Sequence, residues 1–168
     1  MKGLIFLVFF ICSTSLIAQD YEKAFGLRAG FIPGYTLKKF AGNEQAFEVV
    51  FSNWNGIRIT GIKMEHKAIF RDYTDKLFSY TGFGVHLGYH KDFEAFHYIS
   101  PVEVQTRTDI RNPVTGMDFI WGAEYRLLRY PFAIGVEYRP FFDIFGPNYF
   151  DICPWDFGFT IKYTFTRI

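Results

Sequence analysis

Residues Thr81 to Tyr89 read TGFGVHLGY. Thr81, Phe83, Val85, Leu87 and Tyr89 fall on one face; Gly82, Gly84, His86 and Gly88 fall on the other. Strict period-two alternation belongs to a strand whose two faces meet different surroundings. Here one face is bulky and apolar, and the other is glycine with one polar ring.

The same rhythm recurs on both sides of this segment. Met117, Phe119, Trp121, Ala123, Tyr125 and Leu127 alternate with Asp118, Ile120, Gly122, Glu124 and Arg126. Phe132, Ile134, Val136 and Tyr138 alternate with Ala133, Gly135, Glu137 and Arg139. Phe157, Phe159, Ile161, Tyr163 and Phe165 alternate with Gly158, Thr160, Lys162 and Thr164. Upstream, Phe25, Leu27, Ala29 and Phe31 oppose Gly26, Arg28 and Gly30, while Phe47, Val49 and Phe51 oppose Glu48, Val50 and Ser52. Ile57 and Ile59 oppose Arg58 and Thr60. Beyond Gly61 the phase slips, because Lys63 and Glu65 would land on the apolar face. A bulge at Gly61 is expected to restore it by turning Ile62 and Met64 outward. Tyr35 to Phe40, after the Pro33-Gly34 turn, supplies a short strand that makes the count even.

Eight strands are predicted, at 22–32, 34–40, 45–53, 56–67, 78–90, 116–128, 131–145 and 155–166. An even count returns both termini to one side, the periplasmic side in outer-membrane barrels. The turns near 42–44, 69–76 and 129–130 belong on that side. Those at 33–34, 53–56, 91–115 and 146–154 belong on the other, where long loops are expected.

The composition agrees. Aromatic residues make up 21% of the 168 residues, with 22 Phe, 11 Tyr and 15 Gly, which favours strands over helices. The formal net charge of +1 gives no basic footprint for nucleic acid. Lys2, the apolar run Gly3 to Ile11, and Ser13 to Ala18 read as a secretory signal peptide, with cleavage expected after Ala18. Cys12 does not make a lipoprotein site, since Ile11 precedes it where a small residue is required. The expected organisation is a signal peptide at 1–18 and a barrel domain at 19–168. Cys153 is then the only cysteine left, so no intrachain disulfide can form. The sequence has no zinc-ligand spacing and no phosphate loop, and no cofactor is expected.

Two barrels compete. A soluble lipocalin-like barrel would put bulky apolar residues inside. Here the opposite face mixes glycine with Arg, Glu, Lys and Asp, which suits the narrow lumen of an eight-stranded barrel. The apolar face then meets hydrocarbon, and Trp54, Trp155, Tyr130 and Tyr149 sit near strand ends, where aromatic girdles lie. The reading is an all-β, eight-stranded antiparallel transmembrane β-barrel after a cleaved signal peptide, in the outer membrane of a Gram-negative bacterium. Outer-membrane lipid is the expected surrounding.

The stretches GLRAGFIPGYTLKKF, AFEVVFSN, GIRITGIKMEHKAIF, YTGFGVHLGY, GMDFIWGAEYRL, PFAIGVEYRPFFDIFG and FTIKYTF, in this order, resemble the small outer-membrane β-barrel proteins of bacteroidete-type bacteria, OmpX-like in size. The resemblance implies location and architecture, with no established activity, and contact with the barrel-assembly machinery during biogenesis. Members of that family end on an aromatic residue read by that machinery; here Thr166-Arg167-Ile168 follow Phe165.

The inward positions carry Arg28, Lys38, Glu48, Arg58, Asp118, Glu124, Arg126, Glu137, Arg139 and Lys162. Buried charges must pair. The expectation is a lumen network of Arg–carboxylate bridges that plugs the barrel, in particular Arg28, Arg58, Arg126 and Arg139 bridging Glu48, Asp118, Glu124 and Glu137. The protein would then act as a structural or surface-interaction barrel through its outer loops. The alternative is a narrow, porin-like channel for small solutes. A third reading is a lipid A-modifying enzyme, suggested by His66, His86, His90 and His97 with Ser100, Asp92, Glu94 and Glu103. That reading fares poorly because no strand places His and Ser two apart, as a shared face would require. His86 is expected to hydrogen-bond in the lumen. The loop 91–115, with Phe93, Phe96, His97 and Tyr98, is the candidate site for an extracellular ligand.

Overall fold

The computed structural model describes residues 21–42, 44–53, 56–70, 72–90, 112–127, 129–145 and 150–165. The signal segment 1–18, Trp54, Tyr149, loop residues 91–111 and the tail Thr166-Arg167-Ile168 lie outside the described residues.

Ten strand segments form one sheet: β1 (Lys23–Gly30), β2 (Gly34–Phe40), β3 (Gln45–Ser52), β4 (Gly56–Ala68), β5 (Leu77–His90), β6 (Asn112–Leu127), β7 (Phe132–Tyr138), β8 (Phe141–Phe145), β9 (Asp151–Cys153) and β10 (Phe157–Phe165). All pairings are antiparallel. The sheet runs from β5 back through β4, β3, β2 and β1 to β10, β7 and β6, and β6 pairs with β5 to close it. Ten segments make eight staves. β8 continues the stave of β7 beyond Pro140, since both pair with β6. Pro140 has no N–H to give, but its carbonyl accepts from Phe119 N–H at 2.9 Å, so the wall stays joined. β9 pairs with β8 as β10 pairs with β7, so these two share the last stave across Pro154-Trp155-Asp156. The result is a closed, eight-stranded, all-β antiparallel barrel.

Closure sets the side-chain directions. Phe83, Val85 and Leu87 are 64%, 56% and 65% exposed, while Gly84 and His86 are buried. Phe119, Trp121, Ile134, Val136, Phe159 and Ile161 likewise point out. The alternation read from the sequence holds in every stave, with one correction. There is no bulge at Gly61: β4 pairs with β3 from Ser52↔Arg58 to Gln45↔Glu65 without a register shift. Ile62, Met64 and His66 therefore point inward, and Lys63, Glu65 and Lys67 point outward. Unbroken pairing with both β3 and β5 keeps every ladder hydrogen bond of β4, which a bulge would interrupt.

Two loop boundaries also move. β6 begins at Asn112, opposite His90, so 112–115 are strand rather than loop. The expected loop 146–154 contains β9. The connections at 41–44, 69–76 and 128–131 lie at the end of the barrel that holds the start of β1 and the end of β10. At the first of these, Gly42 has φ 130°, a conformation that a side chain would oppose.

Candidate functional site

The barrel interior is the candidate site, and its residues come from every stave. All ten charged residues expected to point inward are buried. Asp143 and Asp156 join them, giving six acids and six Lys or Arg among the described residues. Both continue the alternation: Asp143 is in phase with Glu137 and Arg139, and Asp156 with Gly158 and Thr160. Extending the inward phase past Pro140 and one residue before Phe157 would have found them.

At the terminus end, Glu124 accepts hydrogen bonds from Lys38 Nζ at 2.7 Å, Arg126 Nε at 3.2 Å and the Tyr21 hydroxyl at 2.7 Å. Aromatic faces surround the two cations. Arg126 lies over the Phe78 ring at 3.7 Å, and Lys38 lies 5.1 Å from the Tyr80 centroid and 5.3 Å from that of Phe40. His66 lies between Phe40, tilted by 55° at a centroid separation of 4.9 Å, and Tyr80, stacked at 5.1 Å.

Mid-barrel, Lys162 Nζ reaches both oxygens of Glu48, at 2.9 and 2.7 Å. Beside it, Arg28 serves three acceptors. It donates to Glu137, to Asp156 at 2.8 Å and to the backbone carbonyl of Ile32. Tyr80 also donates to Glu137, at 3.2 Å, and Arg139 Nε donates to Asp156 at 3.4 Å. A Cβ at Gly158 would lie 2.8 Å from Arg28 Cζ, so only glycine lets the guanidinium lie flat against β10.

Toward the other end, His86 bridges two carboxylates: Nδ1 lies 2.6 Å from Asp118 and Nε2 lies 2.7 Å from Asp143. Arg58 meets Asp143 at 3.4 Å and covers the Phe141 ring at 4.0 Å. A Cβ at Gly116 would strike His86 Cε1 at 2.6 Å, so glycine again makes the space.

Alternation set four arginines against four carboxylates without assigning pairs. Within those sets Arg28 meets Glu137 and Arg126 meets Glu124; Glu48 goes to Lys162, Asp118 to His86, Arg58 to Asp143 and Arg139 to Asp156. The interior is also less uniformly polar than the sequence suggested. Ala46, Val50, Ile62, Met64, Tyr80 and Ile120 form a buried apolar cluster on the β3–β6 wall. Thr36, Ser52 and Thr60 hydroxyls, both His66 ring nitrogens and Arg139 Nη1 are buried without a hydrogen-bond partner. Such orphans each oppose folding, and the pairs around them must outweigh that cost.

Chemically, this arrangement neutralises charge. Both His86 nitrogens face carboxylates, which leaves neither to activate a hydroxyl. His66 has aromatic rings on two sides. Residues His97 and Ser100 of the enzymatic reading lie outside the described residues. No group of three or more His, Cys, Asp or Glu suited to a metal occurs among the described residues.

No protein-family profile and no curated protein matches this sequence. Among solved structures, the fold is similar to the N-terminal β-barrel domain of Pseudomonas aeruginosa OprF, with a TM-score of 0.57 at 10% identity, covering 85% of this chain and 95% of that one. At that identity the likeness extends to the fold.

Proposed function

We propose that this chain is an integral outer-membrane barrel with a closed lumen, serving as a structural or surface-interaction scaffold through the loops opposite its termini. An export signal at residues 1–18 would deliver it. The fold likeness to an outer-membrane protein's barrel domain supports this location, as does an outward face of Phe, Leu, Ile, Val and Trp that would be untenable in water. A small bacteroidete-type, OmpX-like barrel is the family that the sequence resembles.

One observation carries the closed-lumen reading. Arg28, Lys38, Glu48, Glu124, Glu137, Arg139, Asp156 and Lys162 side chains are each at most 2% exposed, and each is ion-paired across the interior. An open, porin-like path would bathe these groups in water. Here the paired side chains fill the space that eight staves leave. The test is planar-bilayer recording of the purified barrel. No steady conductance is expected; large, stable single-channel steps would replace the scaffold reading with that of a narrow channel.

A further inference from the structure

The outer surface holds a second, smaller set of charges. Among the described strand positions that face outward, the charged ones are Lys23, Lys39, Lys63, Glu65 and Lys67. They are confined to β1, β2 and β4. Lys23 opens β1 and Lys39 is the last residue but one of β2, so both stand at the terminus end.

Register places three of them in one cross-strand row. Lys23 pairs with Lys39, Lys39 with Phe47, and Phe47 with Lys63. Like charges directly opposite on an antiparallel ladder repel, since their Cβ atoms lie about 5 Å apart. Lys67 has a carboxylate, Glu65, at 3.3 Å. Lys23, Lys39 and Lys63 have no carboxylate within ion-pair distance among the described residues. No described carboxylate on the wall neutralises them. Around the row the surface is apolar, with Phe25, Leu37, Phe47 and Val49 exposed. Lysine stems can lie along such a surface while the ammonium groups reach toward the interface.

We infer that the Lys23–Lys39–Lys63 row binds the phosphodiester headgroup of an anionic phospholipid in the leaflet on the terminus side. The inference rests on the membrane reading above. Its basis is charge complementarity: three cations with no carboxylate partner among the described residues, one sector of the wall, and an apolar surface below them for acyl chains. It also gives a reason for the unbroken β4. A bulge at Gly61 would turn Lys63 into the lumen and dismantle the row.

The test is electron paramagnetic resonance of spin-labelled phosphatidylglycerol and phosphatidylcholine with the barrel reconstituted in phosphatidylcholine vesicles. The expected result is a preference for phosphatidylglycerol in the motionally restricted layer, on the order of 5-fold and reduced by salt. The triple variant Lys23→Gln, Lys39→Gln, Lys63→Gln should lose it, and the corresponding triple Arg variant should keep it. Equal restriction of both lipids by the unmodified protein, or a preference that survives the Gln triple, would overturn the inference. So would loss of the preference to inorganic phosphate but not to chloride at matched ionic strength, since the site would then take the free anion. If neither lipid shows a restricted layer, the membrane reading itself fails, and the lipid inference falls with it.

Discussion

Replacing Glu124 with Gln tests the interior network where it is most concentrated. The carboxylate accepts from Lys38, Arg126 and Tyr21, and its side chain is 2% exposed. Glutamine keeps the volume and one acceptor oxygen, but removes the charge and turns an NH2 toward a cation. Breaking a buried pair from one side costs about 3–5 kcal/mol, because the stranded charge remains buried. Tyr21 and Arg126 share one carboxylate oxygen and Lys38 takes the other, so the amide oxygen can still accept from Tyr21 while the NH2 faces Lys38. Lys38 and Arg126 keep their aromatic faces in both proteins, so those contacts cancel in the difference. A net loss of about 3–5 kcal/mol is therefore expected, or roughly two to three and a half decades in the folding equilibrium constant. The assay is a urea folding titration in lipid vesicles. Glu65→Gln is the control: its partner Lys67 is 70% exposed, so the change should be within about 1 kcal/mol. Adding Lys38→Met to Glu124→Gln should recover part of the loss, since one stranded cation is then gone. If Glu124→Gln costs no more than Glu65→Gln, the pairs do not hold the interior together.

Three further outcomes are expected. Val85→Arg, on the outward face and 56% exposed, should lower folding stability in vesicles by about 2–4 kcal/mol; a near-neutral result would show that this face does not meet hydrocarbon. Gly158→Ala should displace the Arg28 guanidinium from Glu137 and Asp156 and lower thermal stability, whereas Gly61→Ala, with nothing within 4 Å of its Cβ, should leave the melting curve nearly unchanged. Equal melting of the two would contradict the packing at Arg28. His86→Leu removes the donor between Asp118 and Asp143 and should cost at least about 2 kcal/mol, with brief openings in bilayer recordings; unchanged stability together with silence would show that the bridge does no structural work.

Much of this protein can be read from its sequence because alternation is a local property. Period two along each segment separates Phe83, Val85 and Leu87 from Gly84 and His86 without knowledge of any neighbour, and it assigned ten of the twelve inward Lys, Arg, Asp and Glu side chains among the described residues. Gly61 shows the limit. Charges on a lipid-facing strand look prohibitive from composition, but their cost depends on where around and along the barrel they fall. That position is set by the pairing of β4 with β3 and β5, and the tertiary structure accommodates Lys63, Glu65 and Lys67 on the outside. Partner choice in the interior was out of reach for a similar reason. Arg28 and Glu137 are 109 residues apart and Lys162 and Glu48 are 114 apart, and which side chains meet is decided only when β1 pairs with β10 and closes the barrel. Alternation fixes which way a side chain points. What it meets depends on the register and closure of all eight staves, because a buried charge in a narrow interior pairs with whatever opposite charge geometry brings within reach.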